Sequence, residues 1–266
     1  MTVPALVRRT QLLLSTRRFG HPLRGAAQVD STNRAMRDWA AEGAPEGSTF
    51  LTEYQDAGRG RLGRQWTAAP GVNLMLSVLL RPVDDTHLTL LPLVVALSVS
   101  DALQALCGPT AGQLKWPNDL RCGPAKVGGV LLETTAGTGS VPAIVAGIGL
   151  NVNQQAFPPS LQDKATSLLL HSGQRIDRAV LLAQILADLE ARYTQWERGA
   201  VDALRETVEA RMMHRGQTIT LHPTTRAASI TGRVLGLSPA GGLRLATAVG
   251  EHVVFAGDVS SQPTLT

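Results

Sequence analysis

Three arginines alternate with glycines in the run Gly58-Arg59-Gly60-Arg61-Leu62-Gly63-Arg64, and Gln65-Trp66 follows. Glycine lets a backbone approach a ligand closely and take positive φ. Arginine supplies paired N–H donors that match a carboxylate or a phosphate. Consecutive backbone N–H groups in such a loop form a nest for an anion. These residue types fit the enclosure of an anionic centre. The spacing is not that of a P-loop, which needs Lys-Ser or Lys-Thr after its second glycine. Taken alone, the run fits an RNA-binding or merely solvated Arg/Gly segment equally well. A second cluster is Lys115-Trp116-Pro117-Asn118-Asp119. A lysine after a strand can offset the charge that builds when two anions are brought together, and such donors act mainly on the transition state. Pro117 fixes a turn, which Asn118 and Asp119 are expected to hold by side-chain to backbone bonds.

Three further sets add to these. Ser31-Thr32-Asn33 opens a helix, where free N–H groups, hydroxyls and an amide offer polar partners. Gly128-Gly129 interrupts the apolar strand Lys126-Val127-Gly128-Gly129-Val130-Leu131-Leu132-Glu133, a sign of close backbone approach. Gly147-Ile148-Gly149-Leu150-Asn151-Val152-Asn153 repeats that sign, although packing alone also explains glycine in a strand. No Ser/His/Asp or Cys/His pair is arranged for covalent catalysis. No His/Cys spacing fits zinc, so no metal held by side chains is expected. Lysine is scarce: three stand against 22 arginines, and Lys115 and Lys126 both fall in these motifs.

Glu53 to Trp66 as a whole resembles the signature of biotin protein ligases. The Lys115, Ser31, Gly128 and Gly147 segments are similar to that family's other motifs. The likeness runs by motif from about residue 28 to 155, and more loosely to 260. It implies that biotin is activated with ATP to biotinyl-5′-AMP and passed to one lysine of a biotin carboxyl carrier domain of an acetyl-CoA or acyl-CoA carboxylase. It assigns Ser31, Thr32, Asn33, Gln55, Arg59, Gly60, Arg61, Lys115, Gly128, Gly129, Gly147 and Gly149 to biotin or its adenylate. Lys115, Arg59 and Arg61 become the electrostatic catalysts. Arg64, Trp66, Lys126 and Asn151 fall on the ATP side, with Trp66 stacked on adenine unless it is a core aromatic. Mg²⁺ would arrive with ATP, and the Gly58–Trp66 loop would close as a lid. One alternative is a lipoate or octanoate ligase of the related fold, with a longer apolar acyl pocket. A nucleic-acid-binding regulator is the other, invited by a pI near 9.6. Some biotin ligases carry an N-terminal helix-turn-helix domain. Only 30 residues precede Ser31, so a short form without specific DNA binding is expected.

These residues need a scaffold, and the rest of the pattern supplies one. Ser31 caps a helix carrying Ala35, Met36, Trp39 and Ala40 on one side. Ser48 to Gln55 and Asn73 to Leu80 read as strands, and Thr86 to Leu106 as a long helix. Pro92, Asp101 and Gln104 break the apolar stretch Leu88 to Cys107, so it reads as a buried helix and no membrane span is expected. Strands follow at Gln113 to Trp116, Val127 to Thr134 and Ile144 to Val152. Asp177 caps a helix to about Trp196, and Val201 to Met213 forms another. Short alternating segments at Thr218 to His222, Ser229 to Leu237, Leu243 to Ala248 and His252 to Ala256 predict a small barrel.

The fold class is therefore α+β: a mixed sheet with helices packed on it over 1–213, then a small barrel over 214–266. Resemblance makes the first part class II aminoacyl-tRNA synthetase/biotin ligase-like and the barrel SH3-like. The first 29 residues lack Asp and Glu and carry Arg8, Arg9, Arg17, Arg18 and Arg24. That is the composition of a transit peptide, or of a basic strand and loop at the edge of the fold, the reading favoured here. Apolar residues at 44% and charged residues at 17% leave ample material for a core. Two cysteines make no disulfide scaffold and fit a reducing cytoplasm. Monomer and homodimer both remain open.

Overall fold

In the computed structural model, residues 2–135, 141–224 and 228–261 are described. The last five residues of the expected barrel segment lie outside them. The main sheet is built from β1 (Leu23–Val29), β2 (Thr49–Gln55), β3 (Leu74–Leu80), β4 (Gln113–Lys115), β5 (Asp119–Cys122), β6 (Ala125–Thr135) and β7 (Ala143–Leu150). Its spatial order is β1-β2-β3-β7-β6-β5-β4. Only β1–β2 is a parallel pair, so the sheet is mixed.

The side-chain period of two decides what each face holds. On β3, Leu74, Leu76, Val78 and Leu80 enter the large core, as do Ile144, Ala146, Ile148 and Leu150 of β7. That face packs beneath α3 (Leu91–Cys107) and α5 (Arg178–Glu197). On the opposite face, Leu79 of β3 and Ala143 and Val145 of β7 meet Met36, Trp39 and Ala40 of α2 (Thr32–Ala41). Ser77, Gly147 and Gly149 share this second face by alternation, and they floor the site.

Several expected elements begin or end differently. The long helix starts at Leu91, after a 3-10 turn over Leu88–Leu90, because Pro92 fits only a first helical turn. The stretch Leu88–Cys107 is long and apolar enough to cross a membrane by length and composition, yet Leu91, Val94, Val95, Leu97 and Leu103 are buried in the core here. The N-terminus is a basic strand and loop only in its second half, where Arg17 and Arg18 lie in the loop and Arg24 in the strand. It forms α1 (Val3–Leu13), and only then edge strand β1. Pro4 favours a helix start, and Val3, Leu6 and Thr10 bury one helical stripe while the arginines face out. β5 and the short α4 (Leu168–Ser172) were not anticipated. Asp177 caps α5 as expected, accepting from Ala179 N at 3.0 Å.

After α6 (Val201–Arg211), a second antiparallel sheet is formed by β8 (Thr218–Pro223), β9 (Ile230–Leu237), β10 (Leu243–Thr247), β11 (Gly250–Val254) and β12 (Gly257–Ser261), in the order β11-β10-β9-β8-β12. It is tied to the first. Trp116 Nε1 donates to Gly241 O at 3.2 Å and Thr89 Oγ1 to Ala240 O at 2.7 Å. Glu209 of α6 accepts from Leu237 N at 2.8 Å.

Candidate functional site

One cavity of about 630 Å³ opens between the second face of the main sheet, the Gly58–Trp66 loop and the edge of β12. Of the residues singled out from sequence, Ser31, Thr32, Asn33, Gln55, Arg59, Gly60, Arg61, Arg64, Trp66, Lys115, Lys126, Gly129, Gly147, Gly149 and Asn151 all line it. Gly128 does not. By alternation it shares the core face with Val130, and an added Cβ would lie 2.3 Å from Leu150 Cδ2 and 2.7 Å from Gly149 O. It is a packing glycine between β6 and β7.

The other three strand glycines do face the cavity, each for a different neighbour. A Cβ on Gly147 would sit 2.3 Å from Asn33 Oδ1. On Gly149 it would sit 2.7 Å from the Trp66 ring, and on Gly129 3.3 Å from Lys126 Nζ. These glycines therefore make room for protein side chains that press onto the sheet.

One end of the cavity is lined by uncharged hydroxyls and amides that are already hydrogen-bonded. Gln55 Oε1 accepts from Thr32 N at 2.8 Å and from Thr32 Oγ1 at 3.3 Å. Ser77 Oγ, buried beneath, lies 2.8 Å from Thr32 Oγ1 and donates to Asn33 Oδ1 at 2.6 Å. Asn33 Nδ2 donates to Glu133 at 2.7 Å and to Leu131 O at 3.3 Å. The Asn33 amide is thus spent on the protein, and it positions its neighbours where a free ligand partner was expected. Ser77 and Glu133 were missed as supports. Glu133 closes the Lys126–Glu133 run and its charge at the end of an apolar strand was a usable signal, whereas Ser77 stands in an ordinary apolar strand and meets Gly147 only through strand pairing.

The other end is cationic. Lys115 and Asp119 face each other across the β4–β5 hairpin, whose three-residue turn is Trp116-Pro117-Asn118. Asn118 bonds beyond its own turn: its Nδ2 donates to Val130 O of β6 at 2.7 Å, where a bond within the turn was expected, and its Oδ1 accepts from Arg61 Nη1 at 3.4 Å. Asp119 also departs from that reading. Its carboxylate takes Lys126 Nζ at 2.5 Å, with Arg121 at 4.0 Å, because β6 brings the lysine across the hairpin. Burial draws the Lys115 ammonium below its ordinary value and the nearby Arg121 adds repulsion, only partly countered by Asp119. Burial likewise lowers Arg61. A half-buried cation held below its usual pKa gains most when an anion arrives.

Each loop arginine is met by a different element. Arg59 lies 3.7 Å from Glu133 of β6, Arg61 reaches the hairpin turn, and Arg64 pairs with Asp258 of β12. Asp258 and Val259 bring the second sheet into the cavity wall, a contribution no sequence pattern announced. On the same side, the Trp66 ring covers Gly149 and Lys126 Nζ stands 6.0 Å from its centroid. Trp66 Nε1 and Asn151 Oδ1 are buried polar atoms without a protein partner, while Asn151 Nδ2 donates to Thr166 O at 3.1 Å. A donor and an acceptor waiting beside a flat aromatic suit a heteroaromatic ring with a sugar.

Burial raises both thiols, Cys107 and Cys122, so neither is an activated nucleophile. Among the described residues, no three His, Cys, Asp or Glu side chains gather to hold a metal ion. The arrangement can bind a polar head at one end and anions at the other, and can stabilise charge without a covalent intermediate.

Comparison with known proteins gives a consistent picture. The biotin/lipoate A/B protein ligase family matches residues 25–151. The biotin–[acetyl-CoA-carboxylase] ligase of Mycobacterium tuberculosis is 35% identical over 238 residues, covering 88% of this chain and 86% of its own. The bifunctional ligase/repressor BirA of Bacillus spizizenii is 32% identical over 249 residues, covering 92% and 76%. The structure of the Aquifex aeolicus biotin protein ligase with biotin and ATP superposes with a TM-score of 0.79 at 33% identity, covering 90% of this chain and 97% of that one.

Proposed function

From the premise that the chain belongs to the biotin protein ligases of the biotin/lipoate A/B family, we propose how this cavity carries out their reaction. The enzyme activates biotin with ATP to biotinyl-5′-AMP and transfers biotin to the ε-amine of a lysine on a carrier domain. The observation that carries the reading is one continuous cavity joining a neutral, hydrogen-bonded end to a cationic end.

Biotin's ureido head lies at Ser31, Thr32 and Gln55, with its chain running over Gly129 and Leu131 toward the lysines. A carboxylate is a poor acyl donor, so it must first gain a leaving group. Its oxygen attacks the α-phosphorus of MgATP, the bond to the β-phosphate breaks, and pyrophosphate departs. Lys115 stands between the two anions and offsets their repulsion, while Arg59 and Arg61 exchange their protein partners for the ligand's oxygens. Preorganised charge of this kind is commonly the largest catalytic contribution. Lys126, oriented by Asp119, faces the phosphates. Magnesium enters as part of the substrate. Trp66 stacks on adenine, and Asn151 supplies the waiting acceptor.

In the second step the carrier lysine attacks the carbonyl carbon of the mixed anhydride. The C–O bond breaks, AMP leaves, and the amine loses a proton. Closure of the Gly58–Trp66 loop keeps water from the anhydride. We place the division between catalytic region and barrel near residue 214, and assign the enzyme to the cytoplasm, where two free thiols are at home.

The test is direct. The chain, mixed with biotin and MgATP, should yield the mass of biotinyl-5′-AMP, and added carrier domain should gain biotin. A calorimetric titration in which lipoate binds and biotin does not would overturn the assignment in favour of the lipoate ligases.

A further inference from the structure

The chain has three lysines against 22 arginines, and all three line the same cavity. Lys115 and Lys126 come from the main sheet. The third, Lys164, comes from the segment between β7 and α4 and belongs to no motif read from the sequence. That segment is stitched to the start of β6: Lys126 N donates to Lys164 O at 2.8 Å, and Thr166 N to Lys126 O at 2.9 Å. Lys164 is therefore fixed beside Lys126. Asn33 meets β6 at the other end, at Leu131 O. The run from residue 126 to 131 spans about 17 Å at the rise of a strand. Lys164 thus stands at the end remote from Thr32 and Gln55. Its side chain is exposed, and among the described residues no carboxylate pairs with it, whereas Lys126 is held by Asp119.

We propose that Lys164 holds the β- and γ-phosphates of ATP and stays with the pyrophosphate as it leaves; the assignment rests on the adenylation reaction above. When the bond from the α-phosphorus to the bridging oxygen breaks, its electron pair passes to that oxygen, and negative charge grows on the departing group. Lys115 serves the point of attack and Lys126, held by Asp119, faces the phosphates, while Lys164 beside it is left with no carboxylate partner among the described residues and is free to take the outgoing group. Everywhere outside this cavity the chain uses arginine. Lysine differs in being a compact charge on a flexible stem with three rotatable donors, able to follow a group that moves.

The experiment compares the wild-type chain, Lys164→Ala and Lys164→Arg, with Arg8→Ala, an exposed cation on α1, as the control for net charge. Lys164→Ala is expected to raise KM for ATP about tenfold and to weaken inhibition by inorganic pyrophosphate by a similar factor, the size of one exposed charge-assisted contact. Lys164→Arg, which keeps the charge but not the compact head, recovers only part of the loss, and Arg8→Ala shows none. Biotin affinity, and transfer from preformed biotinyl-5′-AMP to a carrier domain, stay at wild-type values because neither involves pyrophosphate. The proposal is overturned if Lys164→Ala leaves KM for ATP and pyrophosphate inhibition unchanged. It is overturned equally if transfer from preformed adenylate falls as far as the complete reaction, which places Lys164 on the adenylate or the carrier. A wild-type chain that forms no biotinyl-5′-AMP is a separate result, and sinks the functional reading itself.

Discussion

The two ends of the cavity are built on opposite plans. Around Thr32, Asn33 and Gln55 the groups are uncharged amides and hydroxyls, buried or half-buried and already hydrogen-bonded, with Ser77 beneath them and the Glu133 carboxylate beside Asn33 where the two ends meet. Around Lys115 and the loop arginines the groups are charged, half-exposed and joined by longer or solvent-facing contacts to Glu133, Asn118 and Asp258. A prebuilt neutral end costs little to reorganise and sets which head group fits. A charged end whose partners can be exchanged reserves its energy for the anions that come together in the reaction. The contrast divides recognition from catalysis along one cavity.

Substitutions on each side can break that division. Lys115→Ala should show the largest effect, a fall of about a hundred- to a thousandfold in adenylation rate with biotin affinity nearly kept. Rapid-quench measurement of biotinyl-5′-AMP checks this, and a matching loss of biotin binding would erase the contrast. The same lysine sets a pH limit. Its charged form is the active one and its pKa lies below the ordinary 10.5. Adenylation, kcat/KM, should therefore decline with rising pH earlier than an unperturbed lysine would dictate, and Lys115→Arg should shift that limb upward.

At the neutral end, Gly147→Ala forces a methyl to within 2.3 Å of Asn33 Oδ1. Overpacking of this order costs about 1–3 kcal/mol, and the loss should appear in biotin affinity by calorimetry rather than in the rate at saturation. Ser77→Ala removes the hydroxyl beneath Thr32 and Asn33 and should weaken biotin by about tenfold, the usual cost of a buried group left unpaired. Asp258→Asn should do least. Its pair with Arg64 is exposed at 40% and 65% of the two side chains, and such pairs contribute under about 1 kcal/mol. A change in adenylation beyond about fivefold would mean that the second sheet takes a larger part in the chemistry than its position conveys.

Much of this was legible beforehand because the informative residues are local. The Gly58–Trp66 run, Ser31-Thr32-Asn33 and the Lys115 hairpin carry their chemistry within a few positions, and the strands around them announce themselves by apolar runs. What escaped depends on distant chain meeting in space. Gly128 and Gly129 are equivalent in a string of letters, yet the alternation of β6 sends one to the core and the other to the cavity. Asp258 sits nearly two hundred residues from the arginine it meets, in a strand whose composition is ordinary. Asp119 looked like a turn residue, yet the side chain of Lys126, from the start of β6, reaches its carboxylate. The N-terminal helix was hidden by an arginine content that drew attention away from the Val3, Leu6, Thr10 stripe.

The bond from Trp116 to Gly241 has a bearing on how the molecule comes apart. Trp116 belongs to the lysine hairpin, and Ile219, Leu221, Val234, Leu243 and Val259 of the second sheet share one core with Leu114 and Trp116. Two sheets that own a common interior have no seam along which to melt separately. Calorimetry should record a single endotherm whose calorimetric and van't Hoff enthalpies agree. Trimming the last strands would then cost the lysine hairpin its footing as well.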